Sequence, residues 1–159
     1  MSTDADAVIC FGIKFKTDFD FPWDDVDSDW DYETLMQDWW CKRHNFKPEV
    51  YPYTETGELK SGATTRDITI YRSSLKDFLD SNPIPYQLCH WRNTNTRSFI
   101  LAAPQTIISC SHYAPQEFDI EKLAEIDYPK IAQELIQFCI AYGIEYDSSP
   151  SWYLSSYFA

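Results

Sequence analysis

The chain has 159 residues, a formal net charge of −12 and 17% aromatic residues, which suits one compact domain with a well-packed core rather than a disordered acidic tail. A field of that sign disfavours nucleic-acid phosphates and anionic membranes, and it draws in basic protein surfaces. Cys10, Cys41, Cys89, Cys110 and Cys139 are odd in number and widely spaced, with no CxxC pair, so the expectation is reduced thiols in a cytoplasmic protein rather than a disulfide scaffold.

The charge is concentrated. Residues 1–40 hold eleven acidic side chains against Lys14 and Lys16, a net of −9, and residues 41–159 contribute only −3. The N-terminus is acidic ahead of a short apolar run, unlike a secretory signal, and no stretch has the ~18 apolar residues of a membrane span.

In chain order, Ala7–Phe15 (AVICFGIKF) reads as a first strand, with Phe11, Ile13 and Phe15 on one face and Gly12, Lys14 and Lys16 on the other. An acidic, aromatic segment follows, TDFDFPWDDVDSDWDYETLMQD, with nine acids and no base between Thr17 and Asp38. Its first half reads as a loop around Pro22. Ser28 then caps a helix over about Asp29–Cys41, whose acids at the start and Lys42, Arg43 and His44 at the end suit the helix dipole. Leu35, Met36, Trp39 and Trp40 are its expected core residues.

Residues 45–64, with Pro48, Pro52, Gly57 and Gly62, read as an extended loop. A second helix is expected from Arg66 to Leu79, capped by Thr65 and stopped by Asn82–Pro83. Strands at Tyr86–Arg92, Ser98–Ala103 and Thr106–His112 suggest an antiparallel meander. A third helix spans Tyr128–Tyr142, where Ile131, Leu135, Phe138, Cys139 and Tyr142 fall on one face and Gly143 ends the run. SWYLSSYFA reads as a closing strand. Together these predict a single α+β domain over residues 1–159, mainly antiparallel sheet with about three helices packed on one face.

Several chemistries can be weighed from the residues. Asp27, Asp29 and Asp31 alternate like the first ligands of a calcium loop, but Tyr32 occupies the turn-glycine position and Asp38 that of the bidentate Glu. Cys89 and His90 on one expected strand and Cys110 and His112 on another offer zinc or nucleophile chemistry, yet Cys89 and His90 point to opposite faces. Carboxylate pairs within residues 18–38 supply acids without evidence of a cleft. GELKSGATT lacks the GK[ST] ending of a phosphate loop. No cofactor is expected.

The other reading makes the acidic segment a binding surface. Asp18, Asp20, Asp24, Asp25, Asp27, Asp29, Asp31 and Glu33 would occupy positions that phosphates take on a basic protein, with Trp23 and Trp30 as apolar anchors. Equally, Trp23, Trp30, Trp39 and Trp40 could all face the core, leaving a solvated acidic face.

AVICFGIKF, the acidic FPW segment, ILAAPQTIIS and SWYLSSYFA together resemble small acidic proteins of tailed bacteriophages. That resemblance implies a phage origin and a non-enzymatic inhibitor of host defence or nucleic-acid-processing machinery in the host cytoplasm. Joined to the charge of residues 1–40, it gives the expectation of a protein that binds a basic host protein by mimicry of nucleic-acid charge. The alternatives are a small metal- or Cys/His-dependent enzyme and a virion structural or assembly protein. Partner identity and oligomeric state are not legible in the residues.

Overall fold

β-Branched and aromatic residues in Ala7–Lys14 form a strand, β1, around which a five-stranded antiparallel sheet is organised. The structure is a computed structural model that describes residues 7–16, 32–54, 57–93, 96–110 and 117–156. The remaining elements are α1 (Tyr32–Arg43), α2 (Thr65–Ser81), β2 (Gln87–Asn93), β3 (Thr96–Ala102), β4 (Ile108–Cys110), α3 (Ile120–Ala124), α4 (Tyr128–Tyr142) and β5 (Ser151–Ser156). The chain is α+β, as its sequence suggests. It divides into two compact units, one holding Val26–Ile84 and the other the residues on either side.

In the sheet unit, β5 pairs with β1 from Ala7 to Gly12. Since Gly12 also pairs with Ala102 of β3, and Ala7–Ile9 also pair with β4, β3 and β4 must share the opposite edge of β1. β2 and β3 form the expected hairpin, from Gln87 opposite Ala102 to Asn93 opposite Thr96. The expected meander stops there. β4 does not return beside β3 but continues along β1 after a 3₁₀ turn at Pro104–Thr106, so β3 and β4 act as one interrupted strand.

Thr106 fills the interruption. It is fully buried, and its hydroxyl accepts from the Phe11 N–H at 3.0 Å while its own hydrogen lies between Ala103 O at 2.7 Å and Phe11 O at 3.2 Å. A side chain thus supplies the ladder bonds that the turn removes, and no Phe11 backbone group is left unpaired there. Beyond the other edge the Phe15–Tyr146 bridge, Lys16 N–H to Glu145 O at 3.0 Å and Asp147 N–H to Lys14 O at 3.1 Å extend the β5 side past β1's end.

Because β1 is central, both of its faces are buried at its middle. Phe11, Ile13 and Phe15 are buried as the alternation suggests, but so are Cys10 and Gly12. On one face α4 packs against β1, with Tyr128 edge-on to Phe11 at 5.1 Å. On the other, Cys10, Ile100 and Ala102 form a cluster with Val8, Cys89, Ile107 and Tyr153. α4 has the expected limits; Ile131, Leu135, Phe138 and Cys139 are buried, Asp127 caps its start, and Gly143 ends it in the left-handed region at φ 70°. α3, absent from the sequence reading, is a five-residue turn held by Asp119, whose carboxylate accepts from the N–H groups of Glu121 and Lys122.

In the helical unit, α1 is described over Tyr32–Arg43, two residues past the expected end at Cys41; its expected start at Asp29 and cap at Ser28 lie outside the described residues. α2 starts one residue earlier than expected because Thr64, not Thr65, is its cap. Thr64 Oγ1 accepts from Asp67 N–H at 3.2 Å, while the Asp67 carboxylate accepts from Thr64 N–H at 2.8 Å and from its hydroxyl at 2.7 Å. Residues 45–64 are not uniformly extended: Thr54 N–H to Glu58 O at 2.7 Å, Lys60 N–H to Pro52 O at 2.9 Å and the Tyr53–Leu59 bridge make a small hairpin.

Candidate interaction surface

Most of the expected binding residues, Asp18, Asp20, Trp23, Asp24, Asp25, Asp27, Asp29, Trp30 and Asp31, lie outside the described residues. Glu33 lies on α1, at its second residue. The segment crosses the division between the two units, which falls after Asp25.

The described end of that segment resolves part of its aromatic character. Leu35, Met36, Trp39 and Trp40 are all buried. Trp40 donates from Nε1 to Asn82 O at 2.9 Å, which ties α1 to the end of α2, and its ring lies 4.0 Å from that of His44. Two of the four tryptophans therefore serve the core of the helical unit and are not available as interface anchors.

Asp38, the last acid of the segment, is half-buried. Burial lifts its carboxyl above the ordinary range, with the Lys42 ammonium pulling partly back. Tyr51, Tyr53 and Tyr71 meet edge to face, with centroids 5.3 to 6.4 Å apart, and the Lys60 ammonium lies 5.5 Å from the centre of the Tyr51 ring. Burial and then the neighbouring Tyr51 and Asp38 hold the Tyr71 hydroxyl neutral, and burial followed by Asp38 pushes the Cys41 thiol up to about 11. These groups have no thiolate or phenolate character at neutral pH. Residues 51–60, read as loop, supply half of this cluster, and the regular Pro and Gly spacing gave no signal of it.

Of the cysteines and histidines paired in the sequence reading, the side chain of His90 lies outside the described residues, and Cys89 and Cys110 are placed only against other described residues. Cys89 packs against the cluster of Cys10, Ile100 and Ala102, and a hydrogen bond between the Cys10 and Cys89 thiols raises the first thiol's pKa and lowers the second's. Cys110 stands opposite Ala7 at the end of β4, and His112 lies outside the described residues. Among the described residues no three His, Cys, Asp or Glu side chains are placed to share a metal ion.

A second acidic surface with apolar side chains occurs in the sheet unit. Residues 117–127 contain Glu117, Asp119, Glu121, Glu125 and Asp127 against Lys122 alone, and no basic residue follows Lys130. Phe118 is 49% exposed and Ile120 68%; on β5, Trp152 is 41% exposed and Leu154 73%. Tyr128 links the two places: its hydroxyl donates to Leu123 O at 2.6 Å and its ring lies 5.5 Å from Trp152. No helix among the described residues is long and apolar enough to cross a membrane. A scan against protein-family models found no match to this chain, and comparisons with curated proteins and with solved structures found none either.

Proposed function

We propose that this chain is a bacteriophage-encoded, non-enzymatic protein that binds and inhibits a basic host protein, presenting carboxylates where that protein would receive nucleic-acid phosphates. The observation that carries the reading is the net charge of −9 in residues 1–40, with eight of the acids at positions 18, 20, 24, 25, 27, 29, 31 and 33. Charge of one sign at that density raises association rates with a cationic surface and releases its counterions on contact. The burial of Trp39 and Trp40 leaves Trp23 and Trp30 as the segment's tryptophan anchors.

The test compares wild type with a variant carrying Asn at positions 24, 25, 27, 29 and 31, each immobilised and exposed to bacterial lysate at increasing salt. A specific partner should be held by wild type, lost by the variant, and released progressively as salt rises. Equal capture of that partner by both proteins would sink the reading.

A further inference from the structure

We propose that Cys10 and Cys89 are a reversible dithiol–disulfide site, whose substrate class is a low-molecular-weight disulfide of the glutathione type. The site belongs to the sheet unit and is independent of the acidic segment and of any basic partner. In a reducing compartment the pair stays as two thiols, so its closure answers a shift toward oxidation.

The two cysteines come from strands that are not neighbours. Cys10 is on β1 and Cys89 on β2, with β3 between them in the sheet, yet Cys89 packs against the cluster of Cys10, Ile100 and Ala102, and the two thiols share a hydrogen bond. Gly12, two residues along the same face of β1 as Cys10, carries no side chain, and Ile100 Cγ2 lies 2.6 Å from where a Cβ would stand. Ile100 is the residue of β3 opposite Cys89, so the side chain that accompanies Cys89 leans over β1 into the Cys10 cluster. What remains is the step from sulfur–sulfur contact to a bond of about 2 Å.

The surroundings select the chemistry. Val8, Ile100, Ala102 and Ile107 supply no charge, and among the described residues no third His, Cys, Asp or Glu is placed to complete a metal site. A cation held there would need both sulfurs ionised in an apolar setting, whereas a disulfide is neutral and leaves no buried polar hydrogen behind.

Cys89 is the attacking sulfur. It is half-buried where Cys10 is 2% exposed, and the hydrogen bond from Cys10 holds its thiol below the ordinary range. Having lost its proton to water, the Cys89 thiolate attacks one sulfur of the small disulfide, forms a mixed disulfide and releases the first small thiolate. Cys10 then gives up its proton, attacks the Cys89 sulfur and expels the second. Two protein thiols and one small disulfide become one protein disulfide and two small thiols, with two electrons and two protons passing to the reagent. Burial holds the Cys41 and Cys139 thiols up at about 11 and about 12, which disfavours both as attacking groups. Cys10 precedes the unit Val26–Ile84 and Cys89 follows it, so the bond would close a loop around that whole insertion and restrict the unfolded chain.

The test exposes reduced wild-type protein to oxidised glutathione in graded ratio to reduced glutathione, alkylates the remaining thiols and maps the peptides by mass spectrometry. Two of the five thiols should be lost together, as one Cys10–Cys89 cross-link within a single chain that excess reduced glutathione reverses, and the oxidised protein should unfold at a higher urea concentration than the reduced one. Cys10→Ala should stop at a glutathione adduct on Cys89, and Cys89→Ala should leave Cys10 unmodified. The wild-type cross-link decides the matter whether or not the buried Cys10→Ala variant folds. Cross-linking of any other pair, a cross-link between chains, a glutathione adduct that persists on Cys89 of wild type, or survival of all five thiols in oxidised glutathione alone would overturn the proposal.

Discussion

The Thr106 hydroxyl and the backbone of Phe11 are separated by 95 positions in the chain and form the junction that lets β3 and β4 serve as one edge of the sheet. Thr106→Val keeps the shape of the side chain but leaves the buried Phe11 N–H without its acceptor. The expected loss is about 1–3 kcal/mol of unfolding free energy, the cost of an unsatisfied buried donor. Thr106→Ser keeps the hydroxyl and should lose less. Denaturant unfolding of the two variants checks this, and equal losses would assign the role to the methyl group.

Gly12 should tolerate no side chain. It lies between Ala102 on one edge and Ser151 on the other, and a Cβ placed there would collide with Leu101 O, lie 2.6 Å from Ile100 Cγ2 and 3.0 Å from Ala102 Cα. The obstacles include backbone, which cannot swing aside as a long side chain can. Gly12→Ala is expected to cost about 1–3 kcal/mol through forced strand displacement, and Gly12→Val more. Unfolding midpoints measure the order, which is the reverse of what β-propensity alone would give at a strand position.

At the start of α2, Thr64→Ala removes one half of the capping box and should cost about 1 kcal/mol. The Asp67 carboxylate is held below the ordinary range first by the Thr64 hydroxyl and then by the Thr64 N–H. A lowered folded-state pKa contributes stability above the unfolded-state value and loses it as pH falls through the folded one. The wild type should therefore lose more stability than Thr64→Ala on acidification, and the difference between them should shrink. Urea midpoints across the carboxylate range measure that convergence.

Asp38 has the opposite sign. Burial raises its carboxyl, so the folded chain binds its proton more tightly than the unfolded chain does. Between the two pKa values stability falls as pH rises, and the penalty is complete above the folded value. Asp38→Asn should match wild type in strong acid and exceed it in thermal midpoint at neutral pH. A neutral-pH midpoint below wild type would show that the Asp38 contact with Lys42 outweighs its desolvation.

Residues 128–142 show how far local pattern reaches. An apolar stripe of period 3.6, an acid at the cap and a glycine at the end define α4 within the segment itself, and its observed limits agree. The β2–β3 hairpin is equally local, since its two strands are joined by a short polar turn. ILAAPQTIIS is different. It reads as the end of one strand and the start of the next, and Pro104 marks the break, but where the chain goes after the break depends on β1, almost a hundred residues away.

The candidate surface divides in the same manner. The concentration of acid in residues 17–38 is a property of composition and needs no fold to be seen. Which aromatics within it are available is not, because Trp39 and Trp40 are withdrawn by packing and by the Asn82 carbonyl, a partner 42 positions from Trp40. The exposure of Trp152 and Leu154 is likewise invisible in SWYLSS, which reads the same for a central strand as for an edge.

By itself, then, the sequence determined the α+β class, the extent of α4, the hairpin and the charge asymmetry, because each depends on near neighbours or on counting. Only the tertiary structure decided that β1 is central, that Thr106 repairs its broken edge, that Cys89 meets Cys10, and that β5 pairs with β1 along the edge opposite β3 and β4. Those are contacts between distant segments, and no local periodicity encodes which strand a given edge will meet.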